Sequence, residues 1–211
     1  MKKENLIIAL DGMNLKEALK IARALSGKVW GFKIGDLLYE DSSIVRKLKK
    51  FGHVFADVKL YDIPNTVANS VKKLSRAGAD MITVHASGGI EMIKAAKQNA
   101  GRSKILAVTV LTSQNNKNTK RNVIKLAQDA ITVGVQGIVC SGQELGALKG
   151  VPGIKSIIKV VPGIRPVWYA KKDDQKRTIT PHEAMRLGAD YLVIGRPITK
   201  AKSPLRALKE L

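Results

Sequence analysis

Ala77-Gly78-Ala79-Asp80-Met81-Ile82-Thr83-Val84 decides the fold, because the chain states the same phrase twice more. Val133-Gly134-Val135-Gln136-Gly137-Ile138-Val139 and Leu187-Gly188-Ala189-Asp190-Tyr191-Leu192-Val193 keep its order. Each reads as a helix ending at a glycine, a short turn and then a buried strand. The three glycines are 56 and 54 residues apart. Each interval therefore holds two units of roughly 27 residues, a natural length for a strand–helix pair. Eight such units fit the 211 residues.

Working outward, eight apolar runs read as strands: Leu6–Leu10, Val29–Ile34, Val54–Lys59, Met81–His85, Ile105–Leu111, Gly137–Cys140, Ile157–Val161 and Tyr191–Ile194. Most are apolar without interruption, as parallel strands covered on both faces must be. A helical segment follows each. Asn14-Leu15-Lys16-Glu17 opens the first with a capping-box pattern, and Gly27, Gly52, Gly78, Gly134 and Gly188 read as helix ends. Eight strand–helix units in one domain over 1–211 predict a (β/α)₈ TIM barrel. An open doubly wound sheet is the alternative on the same pattern. The polar stretches Gln114–Lys120 and Arg165–Thr178 read as loops.

Composition narrows the class. An apolar fraction of 45% fits a globular protein. No run of about 18 apolar residues exists to span a membrane, and the N-terminus shows no cleavage site of a signal peptide. Cys140, the single cysteine, lies in an apolar run and reads as a buried thiol, so a cytoplasmic location is expected. Lys and Arg number 37 against 17 Asp and Glu, a net charge of +20. That balance raises the possibility of a nucleic-acid binder on a barrel scaffold. The lysines, however, are dispersed along helices, and neither zinc spacing nor an aromatic-rich basic segment accompanies them, so no specific nucleic acid is expected. The same field would draw in an anionic substrate.

Chemistry is concentrated in Asp57-Val58-Lys59-Leu60-Tyr61-Asp62-Ile63-Pro64-Asn65-Thr66. Strand alternation points Asp57 and Lys59 the same way, and Asp62 falls just beyond the strand end. Pro64 stands where a helix can begin. Charges at the mouth of an apolar strand are costly unless they pair or react.

In a barrel, functional residues lie at the C-terminal strand ends. Asp11, Lys33, His85 and Thr112 end the first, second, fourth and fifth strands, while Arg165 follows the seventh and Gly195-Arg196 the eighth. The loops after strands 7 and 8 are the usual phosphate site of this fold, so a phosphorylated small molecule is expected. Structural readings compete: a capping role for Asp11, a surface Lys33, an Asp57–Lys59 ion pair, a scaffold His85 and a simple turn at Gly195-Arg196-Pro197. No metal-ligand cluster, P-loop or dinucleotide fingerprint is present.

These blocks, with Ala9-Leu10-Asp11, Phe32-Lys33-Ile34-Gly35, Val110-Leu111-Thr112-Ser113, Val161-Pro162-Gly163-Ile164-Arg165, Asp174-Gln175-Lys176-Arg177 and Val193-Ile194-Gly195-Arg196-Pro197-Ile198-Thr199, run nearly end to end. On them the chain resembles the orotidine 5′-phosphate decarboxylase family, most of all its bacterial branch. The resemblance implies a metal- and cofactor-free carboxy-lyase of pyrimidine biosynthesis that converts orotidine 5′-phosphate to UMP and CO₂. It implies that Lys59 protonates C6, that Asp57 lies beside the substrate carboxylate and holds Lys59, and that Lys33 completes the charge network and touches the ribose. Asp11 is implied to bind a ribose hydroxyl and Thr112 the pyrimidine. Arg165, Gln175, Gly195 and Arg196 are implied to hold the phosphate, with the loop after Arg165 closing over it. Asp62 and Thr66 are implied to enter the partner's site in a homodimer.

Three departures stand out. Tyr61 occupies a position that is histidine in many bacterial members, the segment between Ser113 and Val123 is shorter than in many relatives, and the loop Pro166–Asp174 differs in sequence. A sugar-phosphate relative using Mg²⁺, such as a hexulose-phosphate synthase, shares Asp-x-Lys-x-x-Asp but lacks the Ile63-Pro64-Asn65-Thr66 continuation.

Overall fold

The computed structural model describes residues 3–41, 43–113, 117–169 and 177–211. Its parallel strands close into a barrel in sequence order: β1 Leu6–Ala9, β2 Gly31–Ile34, β3 His53–Leu60, β4 Met81–His85, β5 Lys104–Val108, β6 Gly137–Val139, β7 Ile158–Val161 and β8 Tyr191–Ile194. The last strand pairs with the first, Val193 beside Ile7, which excludes the open sheet. Around the barrel lie α1 Leu15–Leu25, α2 Leu37–Glu40, α3 Ile44–Lys49, α4 Pro64–Ala77 and α5 Ile90–Gln98. The ring continues with α6 Thr119–Val133, α7 Leu145–Leu148, α8 Pro181–Leu187, α9 Arg196–Thr199 and α10 Pro204–Lys209. No helix among the described residues is long and apolar enough to cross a membrane.

Alternation along the strands builds two apolar layers. Ile7, Phe55, Met81, Leu106, Val160 and Val193 pack inside the barrel. Ile8, Phe32, Val54, Ala56 and Ile82 face the helices. Phe55 is buried, and a side chain of its size contributes roughly 2–3 kcal/mol by leaving water. Gly31 is required where β2 meets β3, because a Cβ there would lie 2.1 Å from the His53 carbonyl oxygen. The inward series then continues past the apolar layer: Gly31 is followed by Lys33, and Phe55 by Asp57 and Lys59. The barrel interior is thus the floor of the site.

Local signals set the helix boundaries. Asn14 and Glu17 exchange side-chain-to-backbone hydrogen bonds at 3.0 and 3.2 Å and start α1. Pro64 opens α4, and Gly78, Gly134 and Gly188 close α4, α6 and α8 in the left-handed conformation. Gly52 does not cap a helix. α3 ends at Lys49, and Gly52 sits in the turn before β3 without a positive φ. Two further expectations need correction. β5 stops at Val108 rather than Leu111: its register with β6 ends at Val108 opposite Val139, and the Thr109 amide completes that last rung on Val139 O. Thr119 and Lys120 belong to α6 rather than to a loop.

The repeated phrase has a structural reason that its sequence did not declare. The polar residue before each of its strands accepts the backbone N–H of the preceding strand. Asp80 accepts from Val54 at 2.7 Å, Gln136 from Ile105 at 2.9 Å and Asp190 from Lys159 at 2.7 Å. Three strand entrances at the N-terminal end of the barrel are satisfied in one way. Cys140 is buried, and burial pushes its thiol far above the usual range, in keeping with an inert role.

Candidate active site

The ionisable residues gather at the C-terminal ends of β1, β2 and β3. Lys33 Nζ lies 2.5 Å from Asp11 Oδ2 and 3.0 Å from Asp57 Oδ2. Lys59 Nζ donates to the same Asp57 oxygen at 2.9 Å. The four groups form a row of alternating charge, Asp11–Lys33–Asp57–Lys59. Its middle is desolvated, with 9% of the Asp57 side chain and 12% of the Lys33 side chain exposed. Burial pushes the Asp57 carboxyl up, but the Lys33 and Lys59 ammoniums outweigh it and hold the group at about 2. Burial likewise pulls Lys33 down, and the charges of Asp57 and Asp11 reverse that to a net rise. Both stay ionised at neutral pH. Both ends of the row are open to the pocket, Asp11 at 38% and Lys59 at 39% side-chain exposure, so Lys59 is its open ammonium.

The backbone at Lys59 is not regular strand. Ala56 pairs with Ile82 and Leu60 with Val84, so Asp57, Val58 and Lys59 all oppose Thr83. This is a bulge, the device that re-aims side chains beside active sites. Lys59 takes φ 46°, alone among the described non-glycine residues in having a positive φ. Such a conformation costs roughly 1 kcal/mol and needs support from its surroundings. The Lys59 N–H donates to Thr83 Oγ1 at 2.8 Å, and the Thr83 hydroxyl donates to Asp57 Oδ1 at 3.0 Å.

One pocket of about 480 Å³ lies over this row. Asp11, Lys33, Asp57 and Lys59 line one wall, and Thr112, Arg165, Gly195 and Arg196 the other. Gly35 keeps room for the first wall, since a Cβ there would stand 3.2 Å from Asp11 Oδ1. Asp36 accepts the Gly12 N–H at 2.7 Å and fixes the loop after Asp11. On the second wall, Thr112 lies beyond the end of β5, so other contacts must position it. Arg177 donates to the carbonyls of Thr112 and Leu111, each at 3.3 Å, and pairs with the buried Glu144. Burial raises the Glu144 carboxyl against the pull of Arg177. The Arg165 amide donates to Ile179 O at 2.9 Å, which ties together the two ends of the loop between them.

Other residues singled out in the sequence lie away from this pocket or outside the described residues. Asp62 is exposed, accepts its neighbour Ile63's N–H at 2.7 Å and does not line this pocket. Thr66, in the first turn of α4, is also exposed and outside it. Gln175 lies outside the described residues. His85 has the scaffold role: its Nδ1 lies 2.6 Å from the Ser87 hydroxyl, and Tyr61 packs edge-on against its ring. Sequence reasoning passed over Thr83, Asp36, Glu144 and Arg177 as site supports, and Thr199 and Lys200 as pocket-lining residues. Asp36 had one signal, its place directly after Gly35. Arg177 had another, its place at the end of a motif block.

A closed parallel barrel whose ionisable side chains converge on one pocket at its C-terminal rim defines a (β/α)₈-barrel enzyme. Comparison with known proteins agrees: the profile of the "Orotidine 5'-phosphate decarboxylase / HUMPS family" matches residues 4–211. The chain belongs to that family. An orotidine 5′-phosphate decarboxylase of Streptococcus agalactiae is 43% identical over 97% of this chain and 94% of its own length. One of Nitrosococcus oceani is 40% identical over 100% and 97%. The crystal structure of orotidine 5′-phosphate decarboxylase from Lactobacillus acidophilus superposes with a TM-score of 0.82 at 34% identity, covering 97% of this chain and 95% of that one.

Proposed function

We propose that this chain is a carboxy-lyase that converts orotidine 5′-phosphate to UMP and CO₂, acting as one catalytic barrel over residues 1–211, without metal or cofactor, in the cytoplasm. The observation that carries the reading is the charge row Asp11–Lys33–Asp57–Lys59, desolvated at its middle, with its open ammonium facing a pocket that two arginines also line. The relatives' activity supports the same assignment.

The reaction breaks the bond from C6 to the carboxylate. The electron pair stays in an in-plane orbital at C6 that the ring cannot delocalise. The Lys59 ammonium stabilises that charge electrostatically and then gives its proton to C6, forming UMP. Asp57 holds Lys59 in place and, being ionised, sits beside the departing carboxylate. Lys33 keeps Asp57 charged. Asp11 and Lys33 bind the ribose, and Thr112 binds the pyrimidine. Arg165, Gln175, Gly195 and Arg196 hold the phosphate, Gln175 being assigned from sequence alone. Phosphate binding energy is available to favour the transition state.

The reading includes a homodimer with shared sites. Asp62 and Thr66 lie outside their own chain's pocket, and exposed apolar side chains flank them, Tyr61 at 65% and Ile63 at 67%. An apolar surface beside unused polar residues suits a second copy.

The test follows the loss of orotidine 5′-phosphate absorbance with and without EDTA. Turnover that is unchanged by the chelator is expected. Absence of turnover would overturn the reading, and dependence on a divalent ion would favour the sugar-phosphate alternative. Mixing Lys59→Ala with Asp62→Ala subunits should restore part of the activity, and verified heterodimers without it would remove the shared site.

A further inference from the structure

We propose that Thr83 is a positioning residue for the reaction, its single hydroxyl setting both the backbone of Lys59 and the carboxylate of Asp57. The inference rests on the decarboxylase reading. Thr83 is fully buried and does not line the pocket, so it acts through its neighbours and not on substrate.

The geometry gives the reason. In a regular parallel ladder the β3 amides would find β4 carbonyls. Here three β3 residues oppose Thr83, and the ladder cannot serve them all. The Lys59 amide is the donor left over, and Thr83 Oγ1 accepts it at 2.8 Å. That bond holds Lys59 at its positive φ, from which its side chain reaches into the pocket. The hydroxyl's own proton goes to Asp57 Oδ1 at 3.0 Å. Asp57 Oδ2 is already taken by the two lysines. The carboxylate is therefore fixed on both oxygens, and its rotation is set by Thr83.

A hydroxyl suits this place because it donates and accepts at once. Serine retains both functions. Valine matches threonine in shape, but puts a methyl against a carboxylate oxygen and strands a buried N–H. The methyl of Thr83 serves packing, and the oxygen serves the site.

The experiment compares Thr83→Val, Thr83→Ala and Thr83→Ser with the wild type on orotidine 5′-phosphate. It measures kcat and KM separately, together with UMP affinity and thermal midpoint. The phosphate wall is untouched, so UMP affinity should hold while kcat falls about 100-fold in the valine and alanine variants and returns to within about threefold in serine. Alanine reports on the same hydroxyl without the intruding methyl, should the valine variant not fold. Wild-type kcat within about threefold in a folded valine or alanine variant would overturn the role, as would a serine variant as impaired as alanine. An inactive wild type would instead strike the decarboxylase reading, so the two failures are distinguishable.

Discussion

The two ends of the barrel use the same chemistry for opposite purposes. At the N-terminal end Asp80 accepts Lys49 Nζ at 2.5 and 2.6 Å, His53 Nδ1 at 3.0 Å and the Val54 amide at 2.7 Å. At the C-terminal end of the same pair of strands, Asp57 also sits among cations, with Lys33 at 3.0 Å and Lys59 at 2.9 Å. The difference lies in the remaining partner and in the surroundings. Asp80 holds a strand amide, and Asp190 does the same through Lys159. Asp57 holds a hydroxyl and two ammoniums, one of which opens onto the pocket. A carboxylate that finishes a ladder serves the fold, whereas one that orders free side chains around a cavity is available for chemistry.

The comparison can be broken at either end. The largest effect is expected from Lys59→Ala, which removes the charge proposed to stabilise the carbanion. It should lower kcat by at least about a thousandfold while leaving UMP affinity and the thermal midpoint near wild type. Steady-state kinetics with calorimetric UMP titration checks both. At the opposite end, Asp190→Ala should cost about 1 kcal/mol in urea unfolding, by leaving the half-buried Lys159 amide at the β7 entrance without its acceptor, with kcat unchanged. A change in kcat as large as the change in stability would erase the distinction between the ends.

A smaller effect comes from acid. The folded Asp57 carboxyl, at about 2, lies below its ordinary 3.8. As pH falls, the unfolded chain takes up this proton first. Asp57's contribution is complete above 3.8 and is lost as pH falls toward 2. Urea midpoints measured across that range should fall more steeply in the wild type than in Asp57→Asn. Parallel curves would place the stabilising charge elsewhere.

Much of this arrangement was legible in the sequence. Apolar runs locate every strand of the barrel because both faces of a parallel strand are buried, and the run 187–193 marks β8 as plainly as 77–84 marks β4. Asn14, Pro64 and the closing glycines of α4, α6 and α8 act through local geometry and are readable one at a time. The gathering of Asp11, Lys33, Asp57 and Lys59 follows from strand order alone. What escaped depends on contacts distant along the chain or on broken periodicity. The bulge at Asp57–Lys59 keeps the inward direction that alternation predicts, but achieves it through a left-handed lysine that alternation does not contain. Thr83 is embedded in an apolar run, where a small polar residue carries no signal. Glu144 and Arg177 meet across 33 positions, and although Glu144 also closes a local capping box by accepting the Ser141 N–H, nothing nearby in the sequence announces its pairing with Arg177. β5 reads long because Leu111 still packs on the barrel interior after the ladder has ended.

On the proposed function, charge at the C-terminal rim does chemistry while similar charge at the other end holds the fold. Asp57→Asn and Asp80→Asn, assayed side by side for kcat/KM on orotidine 5′-phosphate, test it most directly. The predicted result is a loss of at least about a thousandfold for Asp57→Asn and a value within about twofold of wild type for Asp80→Asn. Comparable losses in the two variants would contradict the account.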